Sequence, residues 1–524
     1  MKTPGRRGFL AMTGAAVGAG VLVPRGGVAS QIARAATGQP RAAWPAGTPA
    51  GRPSAADWAA LRRHLSTRDL IRPGERGYRT AKELFDPRFD TLTPAGVAYC
   101  RTPGDVAACL GFARKFKVPV RARSGGHSYG GWSSVTGGLV ADVTQMSSFA
   151  VRGSSVRVGT GLDLIDFYQQ LARHGLAVPG GSCPTVGIAG LALGGGVGVL
   201  SRQYGLTSDQ LDSVQIVTAS GRLLTCDSRH NKGLFWACRG GGGGNFGIAT
   251  SFTFRTHSLR KLVLFFLTWP WTHAARVVDA WQSWVPTAPD ALWSNMHLSA
   301  APGGAPQLTV GGTYIGTVAG AARLLKQLYD RAGSRPATAS LREETYLNAM
   351  LAEANCAGLT VPQCLAGRGG TRVPAYAKSD FFTRKLNAAG IRTLLAGIER
   401  LRRVHGTAGG VGAIAFDALG GAVNRVRPSA TAFVHRDSLF LAQYSTSWRS
   451  PGSVAGIANQ HAWLRSFYAS LHPHANGQAY QNYIDPDLVN WQEAYYGANY
   501  PRLQQVKAIY DRHSLFSFPQ AVTT

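Results

Sequence analysis

Arg123-Ser124-Gly125-Gly126-His127-Ser128-Tyr129-Gly130-Gly131 sets four glycines just past the short strand-like run from Val118 to Arg123. Glycine reaches backbone conformations closed to other residues, so successive N–H groups in such a loop turn to one side and approach an anion closely. A pyrophosphate is the natural guest, and Arg123, Ser124, Gly125, Gly126, Ser128, Gly130 and Gly131 are the candidate cradle. The stretch Gly126-His127-Ser128-Tyr129-Gly130 also matches G-x-S-x-G, the nucleophile elbow of serine esterases, with Ser128 as nucleophile. An elbow follows a buried apolar strand and opens a helix. Here Arg121 and Arg123 precede it, and Gly131-Trp132-Ser133-Ser134-Val135-Thr136-Gly137-Gly138 follows, where a helix starts poorly.

Two more glycine-rich stretches lie downstream. In Pro179 to Gly198, glycines recur at Gly187, Gly190, Gly194, Gly195, Gly196 and Gly198, around Cys183, Thr185 and Val186. Each helical glycine costs about 1 kcal/mol relative to Ala, so the pattern fits a flat cofactor lying on the main chain better than a packed helix. Arg239 to Gly247 contains a G-x-G-x-x-G, but the strand-like run from Ile248 follows instead of a helix. No acidic residue occurs before Asp279, beyond the ribose-binding spacing, so nicotinamide binding is disfavoured. The absence of any C-x-x-C gives no support for a zinc cage, and no metal is expected.

The N-terminus carries Arg6-Arg7-Gly8-Phe9-Leu10, a weakly apolar Gly/Ala-rich stretch to Val23, and Ala33-Arg34-Ala35. This is the form of a cleavable export signal over residues 1–35, and the paired arginines point to the twin-arginine route, hence a secreted protein. The uncharged run from Gly8 to Pro24 is short for a membrane span. Net charge is +28, and residues 1–35 hold five of the cations, which leaves +23. The arginines are scattered and no nucleic-acid motif accompanies them, so neither nucleic acid nor a non-catalytic anionic-surface role is favoured. Seven cysteines leave one over after pairing; Cys356 and Cys364, in a polar loop-like stretch, are candidates for a disulfide, with their pairing left open by the sequence.

At 524 residues the chain exceeds one ordinary core. A helix is predicted over Ala55 to Leu70 and another over Asp163 to His174, ended by Gly175. Strands are predicted near Val118, Leu139, Val156, Val214 and Thr250, with a hairpin turn at Thr218 to Leu223. Beyond 259, strands at Leu262 to Trp271, Gln307 to Ile315, Gly412 to Ala418 and Ser438 to Ser447 alternate with helices near Ala274 to Trp284, Ala319 to Ala332 and Ile391 to Val404. That order predicts an α+β chain whose second region is an antiparallel sheet covered by helices on one face.

Taken together with Tyr204-Gly205-Leu206-Thr207-Ser208-Asp209, Ala432-Phe433-Val434-His435-Arg436 and the tail Tyr480-Gln481-Asn482-Tyr483-Ile484-Asp485, the three stretches resemble the berberine-bridge-enzyme-like branch of the vanillyl-alcohol oxidase and p-cresol methylhydroxylase flavoproteins. The resemblance runs from about Tyr78 to Ala521 and implies a two-domain, PCMH-type FAD-binding fold. The domains would be 55–258 for FAD, 259–475 for substrate, and 476–524 returning to the first. It implies bicovalent FAD, with His127 on the 8α carbon and Cys183 on C6, and adds Asp209, Gly247, Ile248 and Asn499 to the cofactor set.

Tyr483 matches the family's catalytic base, which as a phenolate takes a hydroxyl proton while hydride passes to flavin N5. A base with an ordinary pKa near 10 needs its phenolate stabilised, and nearby arginines are expected to do this. Tyr480 is a secondary candidate that faces away from Tyr483 if the segment is extended, and Gln443 can orient a hydroxyl but not accept its proton. Val186 stands where family oxidases carry a small side chain, which implies O2 as acceptor and H2O2 as product. The expected substrate is a small molecule, an alcohol or hemiacetal of a carbohydrate or glycosylated natural product. The alternative is oxidative cyclisation or desaturation of a secondary metabolite, and Gln443, where plant relatives have an acidic residue, weakens the ring-forming case.

Overall fold

A computed structural model describes residues 51–404, 410–448 and 453–524; the export signal at 1–35 lies outside the described residues. The loop around His127 is launched from a four-stranded sheet in the order Leu70–Ile71, Gly96–Tyr99, Leu139–Asp142, Val120–Arg123. Leu139–Asp142 is buried at every position and pairs in parallel on both sides, which explains its unbroken apolar run. The crossover is the helix Pro103–Phe116, started by a Thr102–Asp105 capping box with proline in its first turn. Arg123 is the partner of Asp142 in register, and their buried ion pair fixes the strand ends where the glycine loop begins.

A five-stranded antiparallel sheet follows, ordered Phe149–Arg152, Ser155–Gly159, Ile248–Arg255, Leu211–Val217, Leu223–Asp227. The predicted hairpin is present, with Gly221 at φ +83° in the turn. Gly242 to Gly247 feeds the strand Ile248–Arg255, so the G-x-G-x-x-G opens no helix.

The third sheet has seven strands, all antiparallel: Thr338–Thr345, Lys261–Trp269, Gln307–Tyr314, Leu292–Ala300, Val411–Ala418, Phe440–Ser447, Ala375–Phe382. Met296, Leu298, Ile414, Phe416, Ala442 and Tyr444 join Trp281, Leu394 and Phe467 of the helices Ala274–Trp284, Ala388–Arg402 and Val454–Leu471 in one core. By the two-residue period of a strand, Asn295, His297, Ala415, Asp417 and Gln443 face the other way. The predicted sheet-under-helices arrangement therefore forms, and the polar groups lie on its other face, where Leu262, Leu264 and Trp293 join the core that also holds Phe252 and Phe254.

Three of these strands were not expected from the sequence. Leu292–Ala300 and Ala375–Phe382 place Asn295, His297 and Ser379 on the far face, and Thr338–Thr345 is an edge strand rich in charge. The predicted helix 55–70 is corrected: it ends at His64, Leu65 turns extended, Arg68 takes φ +55°, and Leu70–Ile71 pairs with Val97 and Ala98. Burial of Leu70 in the sheet had imitated helical spacing.

The tail is fixed by Lys507, whose buried ammonium donates to Asn245 O (2.8 Å), Phe516 O (2.7 Å) and Asp511 Oδ2 (2.7 Å). Lys507→Met strands the Asp511 carboxylate in the interior, an expected cost of about 3–5 kcal/mol, read as a lowered unfolding midpoint in urea. The C-terminal helix Tyr500–Tyr510 and the loop 242–247 should then lose hydrogen-exchange protection together.

Candidate active site

One cavity of about 380 Å³ runs between the glycine-rich loops, the seven-stranded sheet and the tail. Gly125 lies so close to the second loop that a Cβ there would sit 2.3 Å from Gly187 N and 2.5 Å from Thr185 O. Only glycine permits this backbone-to-backbone approach, which joins the two stretches into one wall. Thr185 links their reactive side chains. Its Oγ1 is 2.9 Å from His127 Nε2, and its backbone N–H donates to the Cys183 thiol.

Phe85 stacks on the His127 ring with centroids 3.8 Å apart. Burial pushes the imidazole down to about 3, so it is neutral and has a lone pair to offer. Cys183 opens onto the cavity but is hemmed in by protein, and this pushes its thiol up to about 11. The thiol must therefore lose a proton before it can act as a nucleophile.

Gln443 Nε2 donates to the Tyr129 hydroxyl (2.8 Å), and the Tyr129 ring stacks with Tyr483 at 6.0 Å. The expectation that Tyr480 faces away from Tyr483 is corrected. Tyr483 N donates to Tyr480 O (2.8 Å), so the chain turns there and the two rings meet edge-on at 5.0 Å. Tyr480 is occupied structurally: its oxygen accepts from Gly196 N (2.8 Å), Val197 N (3.2 Å) and Asn482 Nδ2 (2.9 Å).

The expected arginines beside Tyr483 are also corrected. Burial holds its hydroxyl well above the ordinary range, and Asp417, Tyr129, Tyr480 and Cys183 push the same way. Asp417 is itself pushed up to about 7 by burial.

The far end of the cavity is built for an anion and a flat ring. Trp132 and Phe518 pack at 5.4 Å, and Arg121 lies 5.8 Å over Phe518. Arg121 Nε and Arg123 Nη1 are buried donors with no protein partner. Such donors belong against phosphate oxygens. With the Gly125–Gly187 wall, these donors and rings suit the cavity to FAD.

Of the predicted site residues, Arg123, Ser124, Gly125, Gly126, His127, Ser128, Cys183, Val186, Gly187, Gly190, Gly247, Ile248, Gln443, Tyr480 and Tyr483 line this cavity. Gly130, Gly131, Thr185, Gly194, Gly195, Gly196, Gly198, Asp209 and Asn499 do not. Asp209 pairs with Arg436 through both carboxylate oxygens (2.8 Å each), and Asn499 Nδ2 ties down the carbonyls of Pro428 and Thr431. They brace the walls. Ser128 Oγ accepts from Trp132 N (3.1 Å) in a local turn followed by no helix, so the elbow reading fails on structure. Sequence reasoning missed Tyr129, Phe85, Arg121, Phe518 and Asp417. Tyr129 alone had a signal, two residues past His127.

Cys356 and Cys364 are disulfide-bonded. Among the described residues there is no group of three or more metal-ligating side chains, and no helix long and apolar enough to cross a membrane.

Residues 94–227 match the FAD binding domain family profile, and 479–523 match that of berberine and berberine like proteins. The FAD-linked oxidoreductase YvdP of Bacillus subtilis, itself uncharacterised, is 33% identical over 460 residues, covering 86% of this chain and 97% of the relative. The chitooligosaccharide oxidase of Gibberella zeae is 29% identical over 446 residues, covering 82% and 87%. The solved structure of Physcomitrella patens BBE-like 1 superposes with a TM-score of 0.80 at 30% identity, over 88% of this chain and 98% of that one. With a cavity shaped for FAD and relatives matched along nearly their full length, this chain belongs to the berberine-bridge-enzyme-like FAD-linked oxidoreductases.

Proposed function

We propose that this enzyme oxidises an alcohol or hemiacetal carbon of a carbohydrate or glycosylated compound, with FAD bonded to both His127 and Cys183 and O2 as acceptor. The observation that carries the reading is the convergence of His127 and Cys183, from loops far apart in sequence, on one cavity edge facing Tyr483 and Gln443. Likeness to a chitooligosaccharide oxidase supports the carbohydrate class. The division at 258/259, the return of 476–524 and export by the twin-arginine route belong to the same reading.

Bound FAD supplies the hydride acceptor. His127 would bond through Nδ1, because Nε2 is held by Thr185. Gln443 and Tyr129, tied to one another, orient the substrate hydroxyl, and Tyr483 takes its proton. The test is an oxygen-electrode screen of sugars and glycosides with peroxide assayed in parallel. Turnover with equal O2 loss and peroxide gain is expected; reduction of dyes but not of O2 would overturn the choice of acceptor.

A pH dependence follows from the surroundings of Tyr483. Its hydroxyl is held above the ordinary range, so kcat/KM for a neutral sugar should keep rising with pH beyond neutrality. The neighbouring groups are Asp417, Tyr129, Tyr480 and Cys183, and none is positive. A plateau below pH 7, measured by initial rates, would remove Tyr483 as the titrating base.

A further inference from the structure

The edge strand Ala375–Phe382 grips the tail on either side of Tyr483. Asn476 N donates to Phe381 O (3.0 Å) and Phe381 N to Gln478 O (3.1 Å), so the tail first runs along the strand. Tyr480 N then donates to Ser379 Oγ (2.9 Å), the chain turns, and Lys378 Nζ donates to both carboxylate oxygens of Asp485 (2.9 and 2.8 Å). Two consecutive strand residues thus hold the two ends of the Tyr480–Asp485 loop, and Tyr483 lies between them.

Neighbours on a strand point to opposite faces of the sheet. Ser379 is the register partner of Gln443 on the cavity side, and Lys378 is the partner of Tyr444, which packs on the helices. The loop is therefore clamped from both faces of the strand that pairs with the one carrying Gln443. Its remaining side-chain bonds run the other way, to the glycine-rich wall: Gln481 Nε2 donates to Gly194 O (2.8 Å) and Asn482 Nδ2 to Leu191 O (3.0 Å). The loop bridges the cofactor wall and the substrate sheet.

Lys378 and Asp485 are both buried. Taking two ions out of water is costly, and a buried pair adds little stability over an apolar one, so its worth lies in direction. The backbone of Asp485 is held within the tail, its N donating to the Tyr495 hydroxyl (2.9 Å) and its O accepting from Gln520 Nε2 (2.8 Å). Lys378 ties that fixed point to the sheet.

We propose that Lys378, acting through Asp485, is a positioning residue for Tyr483: it sets the distance between the base on the tail and the substrate hydroxyl that Gln443 and Tyr129 orient. This rests on the reading of Tyr483 as the base. A misplacement of about 1 Å costs a reacting pair about a hundredfold in rate. Gln443 and Tyr129 keep their own bond when the clamp is lost, so substrate binding should persist while proton transfer slows.

The experiment is anaerobic stopped-flow reduction of the holoenzyme by N,N′-diacetylchitobiose. Lys378→Met/Asp485→Asn removes both charges at once, so neither is left buried alone, and flavin absorbance with the urea midpoint checks the fold. Its limiting rate of flavin reduction should fall about tenfold to hundredfold, with the half-saturating sugar concentration changed by no more than about twofold. Lys378→Arg, whose fork meets both carboxylate oxygens, should keep most of the rate. Added to Tyr483→Phe, the paired change should cost nothing further, because the base it positions is gone; a general loss of packing would add to the defect.

A double variant that reduces its flavin as fast as wild type, or a defect undiminished on Tyr483→Phe, would overturn the proposal. Full activity of Tyr483→Phe would instead remove the base itself, and the proposal with it. If the disaccharide reduces no wild-type flavin, that substrate choice fails and hydrogen exchange of the holoenzyme decides: residues 476–485 should lose protection in the double variant while Phe440–Ser447 keeps it. An equal change in both, or none, overturns the proposal.

Discussion

Tyr483→Phe should lower kcat/KM by about a thousandfold while the flavin stays attached and the fold is unchanged. The substitution removes one oxygen from a ring held by stacking on Tyr129 and edge contact with Tyr480, so packing survives. Tyr480 cannot substitute, because its oxygen is already held by two backbone N–H groups and Asn482. Gln443 cannot either, since an amide accepts no proton at these pH values. Stopped-flow reduction under anaerobic conditions isolates the step. A reductive rate within a few-fold of wild type would take Tyr483 out of the base role.

The second large effect concerns attachment. Wild-type protein precipitated with acid should stay yellow, and its intact mass should exceed that of the polypeptide by one FAD. His127→Ala and Cys183→Ala should each keep the colour through the remaining bond, whereas the double variant should release all of it to the supernatant. The two bonds should also differ in how they form. His127 is already neutral, while Cys183, held at about 11, must first be deprotonated. Bond formation at Cys183 should therefore be the slower event and quicken as pH rises, followed by mass spectrometry of Cys183→Ala and His127→Ala apoprotein mixed with FAD. Colour lost completely from either single variant would mean that only one bond exists.

Much of the site was readable because glycine leaves a trace. Gly125 and Gly187 are required where two backbones touch, and the reactive His127 and Cys183 sit within a few residues of them. The antiparallel sheet was readable where one face packs on helices, as in Phe440–Ser447, and unreadable where both faces carry mixed residues, as in Leu292–Ala300. Asp417 left no trace. It is one acid in an alternating strand, and it matters only because Tyr483 arrives from the tail to stand within its field.

By itself the sequence determined local backbone freedom: which loops can approach a flat ligand, which helices are capped, and which segments alternate. Those are properties of neighbours along the chain. Only the tertiary structure decided that Tyr480 and Tyr483 share one turn, that among the described residues the groups acting on Tyr483 are acids, phenols and a thiol rather than arginines, and that Glu353 ends beside Asn295 with an oxygen unpaired. Charge acts across space, and no spacing in the chain records which groups a buried carboxyl or phenol will meet.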